Sequence, residues 1–200
     1  MDRQLEGTGH PGRAPGPAPR GRPGERPARG LFLDRDGILT EVVRRGPVIG
    51  SARTWEELRL VLEAAPVLER VRSAGFLTVC VSNQPDVARG HLSLELLEQF
   101  HLRLRQAFPL DALEVCTSDR DEDPRRKPNP GMLLEAAGRL GISLARSFML
   151  GDTERDLVAG RRAGVRTILL ATDYNRAARS LADHVVARLD EVPALLLEAP

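Results

Sequence analysis

Two aspartates separated by one residue follow a short apolar segment of this chain. Asp34 and Asp36 flank Arg35 directly after the apolar residues 31–33, and Gly37 comes next. Two carboxylates this close repel each other and are costly to remove from water, so the arrangement is typical of sites that bind a cation or transfer a proton. The alternative is that both aspartates cap a turn at the end of a strand. The pair is the first candidate for a catalytic site.

Further side chains able to contact phosphate or a cation follow other apolar segments. Ser82 and Asn83 end one segment, and Asp152 ends a later one. Lys127 is the only lysine among 29 basic residues, which indicates either a need for a compact ammonium group or chance survival in an arginine-rich sequence. Carboxylates suit Mg²⁺, and lysine and hydroxyl groups suit phosphoryl oxygens, so the set predicts a magnesium-dependent phosphoryl site. Taken singly, each also fits a turn, an exposed loop charge or, for Asp152 and Asp156, helix capping.

These residues need strands that bring them together. From residue 31 onward, short apolar runs alternate with amphipathic stretches, a pattern typical of a parallel sheet covered by helices. The predicted fold is a doubly wound, three-layer α/β domain over residues 30–200, without a large cap domain. Ligands of such sheets bind at the carboxyl ends of the strands, where these polar residues stand. The predicted strands are residues 31–34, 76–82, 112–116, 148–151, 167–170 and 184–187.

Capping residues mark the predicted helices between these strands. Ser93 is expected to cap a helix that runs to about residue 107, and Asn129, followed by Pro130, is expected to cap another. Glycines are expected just after three helices, at Gly75, Gly141 and Gly164.

Composition excludes several classes of protein. The 29 basic and 28 acidic residues give a net charge of +1, which offers no argument for binding nucleic acid or an acidic membrane surface. Cys80 and Cys116 belong to apolar runs, so a reducing compartment and a cytoplasmic location are expected. No apolar run is long enough to span a membrane. Residues 1–29 are rich in Gly, Pro, Ala and Arg, and we predict that they form a disordered tail.

Four segments resemble the motifs of the haloacid dehalogenase (HAD) superfamily. They are Leu-Asp-Arg-Asp-Gly at 33–37, Val-Ser-Asn-Gln at 81–84, Arg-Lys-Pro-Asn-Pro-Gly-Met at 126–132, and Gly151-Asp152 with Asp156. The resemblance covers residues 31–170. Within the superfamily the chain is most similar to the HAD-IIIA, histidinol-phosphatase-like branch, particularly the D-glycero-D-manno-heptose 1,7-bisphosphate 7-phosphatases. Ala-Arg-Gly at 88–90 supports this narrower likeness.

The resemblance implies a phosphoric monoester hydrolase acting on a sugar phosphate, most closely a heptose bisphosphate. Asp34 is then the nucleophile that forms an aspartyl-phosphate. Asp36 is the general acid and later the base, a role that requires it to start protonated. Ser82 and Lys127 steady the transferring phosphoryl group.

The resemblance also implies the ligands of the metal and the substrate. Mg²⁺ is expected on the carboxylates of Asp34 and Asp152 and on the backbone carbonyl of Asp36, with Asp156 supporting these ligands. We expect a small phosphorylated substrate, no nucleic acid or membrane partner, and a monomer. The substrate-binding residues implied are Asn83, Arg126 and Thr153, the last at a position where lysine is frequent.

One departure from the family concerns zinc. Heptose bisphosphate phosphatases of this type usually carry a zinc loop just before the motif that contains Lys127. Here Cys116 stands at the first ligand position, but Ser118 replaces a histidine, and Asp123 and Arg125 replace two cysteines. One cysteine cannot complete a tetrahedral site, so we expect no zinc.

The segment of residues 40–58 is expected to form a flap over the site. Arg44, Arg45 and Arg53 within it are hypothesised to grip a second phosphate, and the alternative is a solvated arginine face. Residues 85–86, Pro-Asp, replace a common Ser-Gly and put the heptose substrate in question.

Other functions are compatible with parts of the pattern. A phosphatase of histidinol phosphate or of another small phosphoester is the nearest alternative. A noncatalytic HAD-fold binding module is disfavoured because every motif position keeps a competent side chain. A receiver-type phosphoacceptor domain is disfavoured because receivers lack an acid at the position of Asp36.

Overall fold

A computed structural model describes residues 27–198, so the predicted tail lies almost wholly outside the described residues. The strands are β1 (Arg29–Leu33), β2 (Val43–Arg45), β3 (Val48–Gly50), β4 (Phe76–Asn83), β5 (Ala112–Cys116), β6 (Phe148–Gly151), β7 (Arg166–Leu170) and β8 (His184–Val186). The α-helices are α1 (Ala64–Ser73), α2 (Leu94–Ala107), α3 (Gly131–Leu140), α4 (Glu154–Ala163) and α5 (Val192–Glu198). Short 3-10 helices are Leu144–Arg146, Arg176–Leu181 and Leu189–Glu191.

A six-stranded sheet in the order β5-β4-β1-β6-β7-β8 forms the centre, and all of its neighbouring strands are parallel. Alternate residues of β1 face opposite sides: Leu31 and Leu33 join one apolar cluster, whereas Phe32 joins another. The first cluster includes side chains of α1 and α5, and the second includes side chains of α3 and α4. The predicted doubly wound α/β fold is therefore confirmed.

The helix ends show which capping predictions hold. The Ser93 hydroxyl accepts a hydrogen bond from the Leu96 backbone N–H at 3.1 Å, as expected for the cap of α2. Gly141 and Gly164 take left-handed conformations after α3 and α4. The prediction for Asn129 is wrong, because its side-chain amide donates to two loop carbonyls and Pro130 stands at the cap position.

The flap forms a small substructure apart from the six-stranded sheet. β2 and β3 form a separate antiparallel hairpin, and the segment after them returns to the main domain. Among the described residues, no helix has the length and apolar character needed to cross a membrane.

The order of strands places β1 between β4 and β6, at the point where the two halves of the sheet diverge. Open α/β sheets bind ligands outside the carboxyl ends of the strands at such a point. Three of the four motifs lie at the carboxyl ends of β1, β4 and β6 and in the loops that follow, and the fold thereby collects them at one edge.

Candidate active site

The loops at this edge enclose a cavity of about 260 Å³. Its wall combines acidic side chains with arginines from the flap and the surrounding loops. Of the predicted site residues, only Ser82 is not on the wall. Those on it are Asp34, Asp36, Asn83, Arg126, Lys127, Asp152, Thr153 and Asp156.

Asp34 joins the end of β1 to the single lysine. Its backbone N–H donates to the Leu150 carbonyl at 3.0 Å, which extends the pairing of β1 with β6. Its Oδ1 accepts from the Arg35 backbone N–H at 2.7 Å and pairs with Lys127 Nζ at 2.8 Å. Burial and the nearby charge of Asp156 raise the pKa of Asp34 well above its usual value, although Lys127 opposes the shift. The ionised carboxylate therefore needs further positive charge around it.

Lys127 is buried, and its ammonium group has three acceptors around it. Its Nζ donates to the Val81 carbonyl at 2.8 Å and lies 2.7 Å from Asp156 Oδ1 and 2.8 Å from Asp34 Oδ1. An ammonium group carries three N–H donors, so these three acceptors satisfy it. Burial opposes its charge, but the two carboxylates outweigh burial and raise the pKa of Lys127.

Asn83 fixes the backbone of this lysine. The Asn83 Nδ2 donates to the Lys127 carbonyl at 2.8 Å, and the Lys127 N–H donates to Asn83 Oδ1 at 3.0 Å. The asparagine thus ties the end of β4 to the third motif. Its role in binding substrate stays a prediction.

Asp152 is held by two residues that sequence reasoning missed. The Tyr174 hydroxyl donates to Asp152 Oδ2, and Asn175 Nδ2 donates to the Asp152 carbonyl at 2.8 Å. Its Oδ1 is buried and has no hydrogen-bond partner among the described residues. Burial and the charge of Asp156 raise the pKa of Asp152.

Three buried carboxylates lie together, each offering one oxygen within 4.8 Å of the others: Asp34, Asp152 and Asp156. Lys127 supplies one positive charge to this group, which leaves an excess of two negative charges when all three acids are ionised. Hard carboxylate oxygens, a matching charge deficit and the unpartnered Asp152 Oδ1 fit a divalent cation such as Mg²⁺.

Glycines allow the backbone to approach these carboxylates closely. Gly37 has φ +83°, and a Cβ on it would lie 2.1 Å from Asp152 Oδ2. A Cβ on Gly151 would lie 2.5 Å from Asp156 Oδ2. Any larger residue at either position would displace a carboxylate of the cluster.

Asp156 is buried and has both oxygens engaged. Oδ1 contacts Lys127, and Oδ2 accepts from the Thr153 backbone N–H at 3.0 Å and from its hydroxyl at 2.6 Å. The Thr153 hydroxyl is thus part of the cap at the start of α4. Its contact with substrate stays a prediction.

Asp36 receives hydrogen bonds from four side chains. Oδ1 accepts from Arg35 Nη2 at 2.9 Å and from Thr40 Oγ1 at 2.9 Å. Oδ2 accepts from Gln84 Nε2 at 2.8 Å and from Ser51 Oγ at 2.9 Å. Burial favours the neutral form, but the Arg35 guanidinium and these donors hold the pKa of Asp36 below its usual value. These contacts favour the ionised form of Asp36. The dual role implied by the family resemblance requires Asp36 to start protonated, and that role stays a prediction.

Ser82 is buried beside this group. Its Oγ accepts from Gln84 Nε2 at 2.8 Å, so the serine supports the glutamine that binds Asp36. Its predicted contact with the phosphoryl group is not part of this arrangement and stays a prediction.

Arg126 is buried and connects to the loop before the third motif. Its Nη1 donates to the Ser118 carbonyl at 2.9 Å, and its Nε donates to Asp121 Oδ1 at 3.2 Å. The guanidinium also lines the cavity, as the predicted role in substrate binding requires.

The positions that were compared with a zinc loop in the sequence form polar contacts in the structure. Arg125 Nη2 donates to Glu114 Oε2 at 3.1 Å and to the Val115 carbonyl at 3.2 Å. Asp123 Oδ1 accepts from the Arg125 backbone N–H at 2.8 Å. Cys116 is buried, and burial raises the pKa of its thiol. Ion pairs and hydrogen bonds therefore connect this loop to the domain.

The three flap arginines have partners within the protein. Arg44 contacts Asp173 at 2.8 Å and is not on the cavity wall, whereas Arg45 and Arg53 are on it. Arg45 Nη2 lies 2.5 Å from a glutamate oxygen, and Arg53 forms a two-point contact with Asp86. Arg44 is therefore away from the cavity wall, and contact with a second phosphate stays a prediction for Arg45 and Arg53.

Two further arginines of the wall, Arg89 and Arg155, have weaker partners. Each is about half exposed and lies 3.8 Å from an aspartate of the loop before the third motif. Ion pairs of this length and exposure stabilise little, so both guanidinium groups can turn towards an anionic ligand.

Some partners of the site carried a signal in the sequence. Tyr174 is the only tyrosine of the chain, just as Lys127 is the only lysine. Gln84 stands next to the predicted Ser82-Asn83 pair. Ser51 and Asn175 carried no such signal, because their contacts depend on the path of the flap and of the segment after β7.

Comparisons with known proteins agree with these features. The HAD-hydrolase-like family model matches residues 124–195. A D-glycero-beta-D-manno-heptose-1,7-bisphosphate 7-phosphatase of Helicobacter pylori (strain J99) is 34% identical over 151 residues, which are 72% of this chain and 83% of the relative. A D-glycero-alpha-D-manno-heptose-1,7-bisphosphate 7-phosphatase of Burkholderia mallei is 30% identical over 187 residues, 86% of this chain and 96% of the relative.

A solved structure is also similar. The D,D-heptose 1,7-bisphosphate phosphatase of B. bronchiseptica, complexed with magnesium and phosphate, superposes with a TM-score of 0.71 at 27% identity. The match covers 85% of this chain and 98% of that one.

Proposed function

Because this chain belongs to the HAD family of hydrolases, as its curated relatives show, we propose that it is a magnesium-dependent heptose 1,7-bisphosphate 7-phosphatase. The observation that carries the proposal is the buried cluster of Asp34, Lys127, Asp152 and Asp156 on the wall of an arginine-lined cavity. The names of the relatives indicate a heptose bisphosphate as the substrate. The cluster indicates phosphoryl transfer as the reaction. Two buried free cysteines support a reducing, cytoplasmic setting.

Asp34 is the nucleophile in this proposal. Lys127 and the Arg35 backbone N–H both contact its Oδ1, and this fixes the carboxylate at the end of β1. An in-line attack on the phosphoryl group forms an aspartyl-phosphate, and water then hydrolyses it. Lys127 holds its charge throughout, because its pKa is raised, and it offsets the negative charge on the transferring oxygens.

Asp36 handles protons in both steps. Its ionised carboxylate is ready to accept a proton from the water that attacks the aspartyl-phosphate. The proton that Asp36 takes from this water is the one that it donates to the leaving sugar oxygen in the next turnover.

The cluster fits Mg²⁺ held by the carboxylates of Asp34 and Asp152 and by the backbone carbonyl of Asp36. Asp156 is less suited as a direct ligand, because Lys127 and Thr153 already engage both of its oxygens. When bound, the ion supplies Lewis-acid polarisation of the phosphoryl oxygens.

The arginines of the cavity wall suit a substrate with a second phosphate. Arg126 is ordered on one side, and Arg89 and Arg155 have weak partners that an anion can displace. Guanidinium groups bind phosphate through two parallel hydrogen bonds. A bisphosphate is thus better matched to this cavity than a monophosphate.

A substrate screen of the purified protein tests the proposal. Phosphate release should be highest with the α or β anomer of D-glycero-D-manno-heptose 1,7-bisphosphate, should occur at position 7, and should stop in EDTA. The anomer is part of the question because the two relatives differ in it. Asp34→Asn is the inactive control. Preference for histidinol phosphate would contradict the sugar, and no magnesium-dependent release from any phosphoester would contradict the activity.

A further inference from the structure

The flap, residues 40–58, reaches the catalytic loops through two side chains that are one residue apart. Ser51 Oγ donates to Asp36 Oδ2 at 2.9 Å. Arg53 donates to Asp86 through Nε at 2.7 Å and Nη2 at 3.1 Å. The first contact meets the proposed acid and base, and the second meets the loop that follows β4.

The residue between them anchors the flap in the protein interior. Ala52 is buried, whereas Ser51 and Arg53 on either side of it are partly exposed and line the cavity. The position of Ser51 is thus set by packing as well as by its own hydrogen bond. Ala52 belongs to an apolar cluster with Leu58, Leu92, Leu97 and Phe100.

The ion pair of Arg53 with Asp86 is partly protected from water. Asp86 is 7% exposed, and a carboxylate so placed loses much of its hydration. A buried carboxylate that lost its guanidinium partner would be costly, so the pair keeps the flap against the loop after β4. Arg53 thereby uses its Nε and Nη2 groups on Asp86.

Among the four side chains that bond Asp36, Ser51 is the one that follows the β2–β3 hairpin. Arg35 and Thr40 lie within a few residues of Asp36 in the segment after β1. Gln84 directly follows β4. Thr40 starts the flap and lies close to Asp36 in sequence, so Ser51 is the flap residue that reaches Asp36 from beyond the hairpin.

We infer that Ser51 is a positioning residue for Asp36, and that the Arg53–Asp86 pair sets the place of Ser51. Closure of the flap and orientation of the acid and base are then one event. This inference rests on the proposed phosphatase function. It goes beyond that function by assigning a role to flap residues that do not touch the reacting atoms.

Kinetics of Ser51 variants give the first test. Ser51→Ala should lower kcat about tenfold to a hundredfold and leave KM within about threefold, since a misplaced catalytic group affects the chemical step. Ser51→Thr keeps the hydroxyl and should recover most of kcat. Thr54→Ala removes an exposed hydroxyl of the same flap and should change neither constant. Equal kcat for Ser51→Ala and wild type, or no rescue by threonine, would overturn the inference.

Amide hydrogen exchange of the hairpin gives a test that needs no activity. Ser51→Ala, Asp36→Ala, Arg53→Ala and Asp86→Ala should each speed exchange over residues 43–50, and Thr54→Ala should not. Arg53→Ala combined with Asp86→Ala should add little to either single change, because both remove one contact. Unchanged exchange in Ser51→Ala and Asp36→Ala would overturn the coupling, even if the wild-type protein proved inactive and the proposed function failed.

Discussion

At the residue scale, the site places three carboxylates around a single lysine. Asp34, Asp152 and Asp156 are buried within reach of a single ion, and Lys127 neutralises only part of their charge. Burial and mutual repulsion raise the pKa of Asp34 and of Asp152, so the ionised cluster needs additional positive charge. A divalent cation supplies that charge, so metal binding and stability should be linked.

Replacement of Asp152 by asparagine should separate the repulsion among the carboxylates from the stabilisation by a bound cation. Without metal, Asp152→Asn removes one repelling charge, so the Tm in EDTA should equal or exceed that of the wild type. With saturating Mg²⁺, the wild type should gain about 2–3 kcal/mol, seen as a Tm increase of about 5–10 °C, and the variant should gain little. Thermal unfolding in EDTA and in MgCl₂ measures both. A full Mg²⁺-dependent shift in the variant would show that Asp152 is not a ligand.

Replacement of Lys127 by arginine should abolish most activity although the charge is kept. The ammonium group meets three acceptors in a closed, buried space, and a planar guanidinium cannot reproduce that geometry. We expect kcat to fall by at least about a hundredfold. Steady-state kinetics with a circular dichroism check of folding measures this. Activity near the wild-type level would favour chance as the reason for the single lysine.

At this scale, membership of the site could be predicted for residues that stand out within a short segment of the sequence. Asp34, Asp36 and Asp152 each follow an apolar run, and Lys127 is unique in the chain. Their roles as ligand, acid or base remain predictions. Their partners lie far away in sequence, as Tyr174 does for Asp152, and a partner distant in sequence leaves no local pattern.

At the element scale, helix α2 carries a buried histidine whose pKa is affected by residues of the site. Its cap at Ser93 was predictable because the serine hydroxyl bonds within the same turn. Its buried face was predictable only as apolar, yet it includes His101, which is 2% exposed. Burial, together with the charges of Arg35 and Arg105, lowers the pKa of His101 to about 4.

This histidine should make stability depend on pH. The unfolded chain takes up a proton on His101 near pH 6.5, whereas the folded protein takes it up only near pH 4. The stabilising effect of the neutral side chain is therefore complete above pH 6.5 and is lost as the pH falls towards 4. The loss should be on the order of 2–3 kcal/mol.

Urea unfolding at several pH values checks this for wild type and His101→Gln. The variant lacks the titrating group, so its free energy of unfolding should fall less between pH 7 and 5 than that of the wild type. Other groups titrate equally in both proteins and cancel in the difference. Parallel pH profiles would show that His101 does not carry the effect.

At the scale of the whole molecule, the class of the fold followed from its pattern, but the arrangement of its parts did not. Alternating apolar runs and helices indicate a parallel sheet whatever the order of its strands. The order that places β1 between β4 and β6 depends on packing between distant segments. The contacts of the flap have the same origin, which is why Ser51 and Arg53 were not paired with Asp36 and Asp86 from sequence.

The N-terminal boundary of the domain can be tested as a property of the whole molecule. The contacts of the sheet begin at Ala28, whose carbonyl accepts from the Ser143 N–H at 2.8 Å. Deletion of residues 1–26 should therefore leave kcat/KM and Tm close to those of the full chain. Phosphatase assays and thermal unfolding of the shortened protein measure this. A loss of kcat/KM beyond about tenfold would assign the deleted segment to the site.

A slightly longer deletion, of residues 1–29, supplies the matched comparison. It removes the Ala28 contact and the Arg29 side chain, whose Nη2 donates to the Ala74 carbonyl at 2.6 Å and whose guanidinium lies 4.1 Å from the centre of the Phe76 ring. These interactions together contribute about 2–3 kcal/mol, so Tm should fall by about 5–10 °C. The catalytic cluster lies at the other end of β1, and kcat measured below the transition should therefore be retained. An unchanged Tm would place the start of the domain after Arg29, and a lost kcat in folded protein would show that the two ends of the strand are coupled.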